Sequence, residues 1–283
     1  MTSSGYGRIL RDLSLTPKKR LGQHFMVDPG LLRAIARLMI PESGSWVALE
    51  IGTGLGNLTC ELATRAQRVY SVEFDRSLAP AIQETCGQLP NVSIIWGDAL
   101  GMDLSGYTLR EENSDNSLIL CGNLPYYLTS ELLYAALVKR PRWDRIAVVV
   151  QEEVGERMAS PSGTKDFGRL SLWCQYRAHV TIAKRIPRGA FVPPPDVESC
   201  LALMDINDSF PLSPEEEAVL DKISRAAFSR RRKTIRNGLL SIIANGEALD
   251  EVLKTTGVDG RLRPEDLGIG EFVALAKNLS PLL

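Results

Sequence analysis

The run Trp46-Val47-Ala48-Leu49-Glu50-Ile51 has the composition of a short buried strand, and it opens directly into Gly52-Thr53-Gly54-Leu55-Gly56-Asn57 before a helical pattern from Leu58 to Arg65. A strand that ends in a glycine-dense turn and continues as a helix restricts the chain to architectures built on a βα unit. Glycines at that turn let a ligand approach the backbone closely. The spacing is G-x-G-x-G, and Asn57 stands where the dinucleotide fingerprint needs its third glycine, which argues against NAD. A second strand, Arg68 to Val72, ends at Glu73, about 20 residues past the first glycine, where a carboxylate can take both hydroxyls of a ribose. A third, Val92 to Trp96, ends in Gly97-Asp98, whose carboxylate can accept from the amino group of an adenine. Singly, each of these groups reads as a solvated strand end. Together they mark the edge along which open α/β sheets bind ligands.

The alternation continues. Helices are expected from Pro29 to Met39 and from Ser77 to Gln88, and an apolar strand from Ser117 to Cys121 precedes a helix from Thr129 to Lys139. A strand from Arg145 to Val150, helices from Glu152 to Met158 and Leu170 to Arg177, and an antiparallel strand pair, Val180 to Ile186 and Ser199 to Ile206, complete the pattern. Strands alternating with helices imply a mostly parallel, doubly wound sheet. Asn207 to Pro214 reads as a linker. Beyond it, helical periods at Glu215 to Phe228, Lys233 to Ala244, Glu247 to Thr255 and Pro264 to Asn278 indicate a small all-helical domain. The expected division is therefore residues 1–208 and 209–283, with residues 1 to about 16 loose.

The strand Ser117 to Cys121 feeds Asn123-Leu124-Pro125-Tyr126. The exocyclic amine of adenine is a poor nucleophile because its lone pair is delocalised into the ring. An amide oxygen from Asn123 and a backbone carbonyl, most simply that of Leu124, can accept both amine hydrogens and free the lone pair. Pro125 stiffens the turn, and Tyr126 offers a face for an unstacked base. Taken alone, the tetrapeptide is equally an ordinary Asn/Pro turn with Tyr126 as a core aromatic.

In this order, Glu50 to Gly56, Glu73, Asp98 and Asn123 to Tyr126 resemble the class I S-adenosylmethionine-dependent methyltransferases. Lys18-Lys19-Arg20-Leu21-Gly22-Gln23-His24-Phe25 is similar to the K-R-x-G-Q-N-F entry of the KsgA/RsmA small-subunit rRNA adenine dimethyltransferases. Phe191 to Ser199 is similar to their F-x-P-x-P-x-V-x-S segment, Phe228 to Asn237 to their F-x-x-R-R-K-T-x-x-N stretch, and Arg263 to Leu267 to their R-P-E-x-L. The resemblance runs from about Lys18 to Leu279. It implies a class I Rossmann-like, mostly parallel sheet with a helical C-terminal RNA-binding domain. It implies S-adenosylmethionine held by His24, Met26, Gly52, Gly54, Glu73, Asp98 and Asn123, and catalysis by Asn123, Leu124, Pro125 and Tyr126, with Phe191 as a second stacking surface. Phe191 also reads as a core aromatic before a proline-rich turn. The substrate it implies is two adjacent adenosines in a hairpin near the 3′ end of small-subunit rRNA, free or in an assembling subunit. Three positions depart from the pattern. His24 stands for the usual Asn and Met26 for Leu, while Tyr127 follows the tetrapeptide where Asn is common and reads as cleft wall. A backbone contact at position 24 survives the change, and Met26 suits packing.

Composition limits the partners. The formal charge of −1 gives no global attraction to phosphate, yet the stretch Arg225 to Arg236 holds six basic residues and no acidic one. From it, Arg230, Arg231, Arg232, Lys233 and Arg236 are the expected RNA contacts, since arginine forks suit phosphate oxygens. Five widely spaced cysteines and two histidines argue for reduced packing thiols and against a metal site. With no membrane-spanning apolar stretch and no signal-peptide pattern, a cytoplasmic monomer is expected. Competing readings are an Erm-type large-subunit rRNA methyltransferase, whose tetrapeptide usually has Ile second, an RNA-binding assembly factor without activity, and a DNA or protein methyltransferase.

Overall fold

The computed structural model of the chain describes residues 16–41, 45–102, 116–138, 143–229 and 232–280. The described residues form two units. The first runs to Gly155 and resumes over His179–Ile206; the second comprises Glu156–Ala178 and the chain from Asn207.

The first unit is built on a seven-stranded sheet. Its strands are β2 (Trp46–Ile51), β3 (Arg68–Glu73), β4 (Val92–Trp96), β5 (Ser117–Asn123), β6 (Arg145–Gln151), β7 (Ala178–Ile186) and β9 (Ser199–Ile206), in the order β4-β3-β2-β5-β6-β9-β7. Neighbours from β4 to β6 are parallel, and β9 runs antiparallel to β6. This is the expected doubly wound, Rossmann-like sheet. The expectation that the two last strands pair is refined, because β9 lies between β6 and β7 and bonds to both. β6 is uncharged from Ile146 to Val150, and all five residues are buried at 0% exposure, as a strand covered on both faces requires. The helices are α1 (Pro29–Met39), α2 (Asn57–Ala63), α3 (Ala79–Thr85), α4 (Thr129–Val138) and α5 (Glu152–Ala159), which runs across the boundary of the units. α1 starts where Asp28 Oδ1 accepts from the Gly30 and Leu31 N–H groups, and it buries Leu32, Ile35, Ala36 and Met39 at helical spacing.

One pairing had no sequence signal. β1 (Phe25–Met26) bonds antiparallel to β8 (Phe191–Val192), with Phe25 opposite Val192 and Met26 opposite Phe191. Alternation along β8 turns Phe191 inward and Val192 outward.

The sheet order reverses between β2 and β5, so the crevice of the fold lies beyond their carboxyl ends. The bonds Gly52 N to Val72 O and Gly97 N to Glu73 O, both 2.9 Å, keep the three strand-end loops level.

The second unit is helical, with α6 (Arg169–Arg177), α7 (Pro214–Phe228), α8 (Ile235–Leu239), α9 (Gly246–Thr256) and α10 (Ile269–Leu279). Ser213 and Glu216 form a capping box ahead of Pro214 and start α7. The expected first domain of 1–208 included α6, whereas residues 156–178 join the second unit. The reason is a set of polar contacts: in a buried cluster Arg177 Nη2 donates to Glu217 at 2.7 Å and Tyr176 OH donates to Glu217 at 3.0 Å, and the half-buried Arg169 pairs with Asp221 at 2.6 Å. Arg177 lies 4.4 Å from the Phe210 ring centroid, so its charge is compensated on two sides. Two helical expectations are also corrected. The helix expected over Lys233 to Ala244 is confined to α8, because the Thr234 side chain accepts from Asn237 N–H as an N-cap and Ser241 Oγ takes the Gly238 carbonyl. The helix expected from Pro264 to Asn278 is a 3-10 turn, Pro264–Asp266, and then α10, separated where Glu271 accepts from the Gly268 N–H at 2.5 Å. Lys139 and residues 1–15 lie outside the described residues.

Candidate active site

Glu50, at the end of β2, is fully buried beneath the glycine turn. Its Oε2 accepts from Thr59 Oγ1 of α2 and Ser71 Oγ of β3, both at 2.6 Å, and Thr53 Oγ1 donates to Ser71 Oγ at 2.6 Å. The turn is thus tied to a strand and a helix from below. Burial pushes the Glu50 carboxyl up from its ordinary 4.5 to about 7, against the two hydroxyl bonds and helped by the nearby Glu73 carboxylate. A folded value above the unfolded one means that the protonated group's contribution is complete below about pH 4.5 and is lost as pH rises through 7. We therefore expect stability to fall by on the order of 3 kcal/mol between pH 5 and 8 from this group. Urea unfolding across that range checks it, with Glu50→Gln, which imitates the protonated acid, expected to flatten the dependence.

Above Glu50 two adjoining clefts open along the sheet edge and share Gly52, Glu73, Phe74, Pro125 and Tyr127 as walls. Counting space open to solvent, they enclose about 590 and 520 Å³, the range of small-molecule sites. The first is completed by Gly54, Asn123, Leu124, Tyr126 and the segment Leu21–Phe25, and the second by Gly97, Asp98 and Leu132. Gly52 and Gly54 have φ of +86° and +58°, and a Cβ there would come within 3.4 Å of Asn123 O and 3.3 Å of Phe25. The turn therefore lies bare against the cleft. Glu73 accepts from Gly54 N–H at 2.8 Å and Asp75 N–H at 2.7 Å, and burial raises its pKa despite both bonds. Asp98 is exposed, with Oδ1 accepting from Leu100 N–H at 3.0 Å.

At the end of β5, Asn123 Nδ2 donates to the His24 carbonyl at 3.0 Å. Its Oδ1 is buried and has no hydrogen-bond partner among the described residues. A buried amide oxygen is costly to leave unpaired, so this atom is an acceptor waiting for a donor. Leu124 N–H donates to Val149 O at 3.1 Å, and Thr129 Oγ1 donates to Pro125 O at 3.1 Å, which fixes the turn. Tyr126 bonds Ser199 Oγ through its hydroxyl at 2.7 Å, and His24 stacks on its ring with centroids 5.5 Å apart.

Of the expected site residues, His24, Gly52, Gly54, Glu73, Asp98, Asn123, Leu124, Pro125 and Tyr126 line these clefts. The His24 carbonyl is held by Asn123, while its Nδ1–H donates to Pro193 O at 2.8 Å. Two expected residues lie outside the lining of both clefts. Met26 is 5% exposed in the core and lines neither cleft; its carbonyl accepts from Asn57 Nδ2 at 2.7 Å, which gives the residue in the third-glycine place a structural role. Phe191, expected to stack on a base, is 1% exposed in the same core, because β8 turns it inward against β1. Sequence reasoning missed Phe74, which is 60% exposed and lines both clefts; its place directly after Glu73 was the available signal.

In the second unit Arg232 and Lys233 are exposed. Arg236 is committed to Asp250 through two bonds of 2.5 and 2.7 Å, so its guanidinium is largely a clamp between α8 and α9. Arg230 and Arg231 lie outside the described residues. Among the described residues no helix is long and apolar enough to cross a membrane, and no cluster of three His, Cys, Asp or Glu could hold a metal ion.

A sequence profile of ribosomal RNA adenine dimethylases matches residues 15–280. The chain belongs to this family. Among relatives, the dimethylase is 38% identical over 271 residues to a protein named ribosomal RNA small subunit methyltransferase A from Levilactobacillus brevis, covering 94% of this chain and 91% of that one. Its fold is similar to a dimethyladenosine transferase from Plasmodium falciparum, with TM-score 0.76 and 23% identity over 91% of this chain and 98% of that one. It is also similar to the 23S rRNA methyltransferase ErmE, with TM-score 0.64 and 22% identity over 90% and 99%. At these identities the two structures speak to the class I methyltransferase fold alone.

Proposed function

We propose that the dimethylase transfers methyl groups from S-adenosylmethionine to the exocyclic amines of two adjacent adenosines in a hairpin near the 3′ end of small-subunit rRNA. The observation that carries the reading is the unpartnered, buried Oδ1 of Asn123, a residue that lines the same cleft as Gly52 and Gly54. The residues present suit the cofactor: a bare turn at Gly52 and Gly54 for its methionine end, Glu73 for its ribose, and Asp98 beside the exposed Phe74 for its adenine. When bound, S-adenosylmethionine supplies an electrophilic methyl group on a sulfonium. Asn123 Oδ1 and the Leu124 carbonyl accept the amine hydrogens and localise its lone pair, so catalysis is mainly positioning plus dipole stabilisation. No strong general base is required, because the alkylated amine is acidic enough to lose its proton to water. The flipped base lies on the face of Tyr126 that His24 leaves uncovered.

The RNA is held in part by the second unit through Arg232 and Lys233, in a cytoplasmic, monomeric enzyme whose five cysteines are not joined in disulfides. Replacing both basic residues with Ala is expected to weaken RNA binding uniformly and reduce the salt slope of log K by about 1.5 to 2, read by filter binding from low to physiological salt. The function itself is tested by transfer of labelled methyl to small subunits lacking the dimethyladenosines, followed by nucleoside analysis. Dimethyladenosine is the expected product. Methylation of large-subunit RNA instead would favour the Erm-type reading, and no transfer to either would favour an assembly factor.

A further inference from the structure

The segment Lys18–Phe25 lines the first cleft through Leu21–Phe25 and is anchored at both ends to strand-end loops. Lys18 Nζ donates to Asp75 Oδ1 at 2.6 Å and to Ser77 Oγ at 2.9 Å. The Lys18 N–H donates to Gln23 Oε1 at 2.8 Å, and Gln23 Nε2 returns to Asp75 Oδ2 at 2.8 Å. One residue later, the His24 carbonyl accepts from Asn123 Nδ2. Asp75 therefore works in two directions: its carboxylate grips the strap, and its own N–H donates to the Glu73 carboxylate at 2.7 Å.

We propose that Asp75 is a positioning residue that joins this strap to Glu73, so that the cofactor's ribose acceptor and the Asn123 amide are set by one hydrogen-bond network. The inference rests on reading Glu73 as that acceptor. Asp75 is only 6% exposed. Burial would raise its pKa, but the bonds from Lys18, Ser77 and Gln23 outweigh burial and hold it down to about 2. The group stays charged because the strap is in place, and releasing the strap leaves a buried carboxylate short of partners. The network also orients Asn123. With one amide hydrogen held by the His24 carbonyl, the oxygen is the atom left for a ligand, and the contact uses the backbone of residue 24, so it does not depend on whether His or Asn stands there.

The test uses the full chain and S-adenosylhomocysteine as the titrated ligand in calorimetry. Lys18→Met and Gln23→Leu remove the strap's grip while leaving the Asp75 bond to Glu73 and its cap on the Ser77 N–H in place. Each is expected to lower affinity about 10-fold, the scale of a charge-assisted hydrogen bond, with Lys18→Arg restoring most of it. A scaffold without coupling would give independent losses, so the deciding measurement is a double-mutant cycle of Lys18→Met with Glu73→Gln. The combined loss is expected to fall short of the product of the separate losses by at least about threefold. Hydrogen exchange at residues 22–25 should quicken in both strap variants. Wild-type affinity in the strap variants, or losses that simply multiply, would overturn the latch while leaving the cofactor reading of the cleft intact. A wild-type chain that does not bind S-adenosylhomocysteine would overturn that reading, and the latch with it.

Discussion

Asn123→Ala is expected to lower methyl transfer about a thousandfold, the scale seen when one preorganised dipole is deleted from an active site. The variant removes the only buried, unpartnered acceptor of the Asn123–Tyr126 turn among the described residues, so nothing remains there to localise the amine lone pair. It also removes the bond to the His24 carbonyl, which anchors the far end of the strap. A modest loss of cofactor affinity should therefore accompany the catalytic one. Calorimetry with S-adenosylhomocysteine separates the two effects. If transfer falls less than tenfold in a variant that still binds cofactor, the amine is oriented by some other group and the mechanism above is wrong. Asn123→Asp distinguishes geometry from charge: a carboxylate still accepts hydrogen bonds, yet it cannot donate to His24 O, and its negative charge faces a carbonyl.

Gly122→Ala is expected to be the most damaging substitution of a single small group. Gly122 immediately precedes Asn123, has φ of +142°, and a Cβ there would lie 2.4 Å from Ile51 O and 3.1 Å from Ile51 N. Both are backbone atoms of β2, the central neighbour of β5, so neither can rotate aside. The strain of the backbone conformation and the overlap together are expected to cost about 3 to 5 kcal/mol. For a chain of this size that is a fall in Tm of roughly 5 to 8 °C, read by thermal unfolding. Any folded fraction must part β2 from β5 at the switch point and displace Asn123 with them, so its specific activity should fall as well. An unchanged Tm would mean that the two strands do not approach as closely as described.

The short apolar runs ending at Ile51, Glu73, Trp96 and Asn123 were legible because strand composition, glycine turns and chain reversals are local properties, and ligands of such sheets collect at that edge. The resemblance carried by the order of the motifs likewise implied S-adenosylmethionine and an adenine amine. Phe191 was not legible in the same way. An aromatic before a proline-rich turn suits either a stack or a core, and only its pairing with Met26 turns it inward. Arg236 belonged to a basic run that suggested phosphate, whereas Asp250, fourteen positions away, takes its guanidinium.

By itself, then, the sequence determined the alternating βα frame, the glycine turn, the acidic strand ends and the tetrapeptide, since each is encoded within about ten residues by periodicity and backbone preference. Tertiary structure alone decided how these parts are tensioned against each other. The strap is tied from Gln23 to Asp75 across 52 positions, from Asn123 to His24 across 99, and from His24 to Pro193 across 169. In the same way α6 went to the helical unit because Arg177 and Tyr176 find Glu217 about forty positions on. Such bonds join polar side chains with no repeating pattern, and which donor meets which acceptor is settled only when the folded chain brings them within about 3 Å and excludes water from the alternatives.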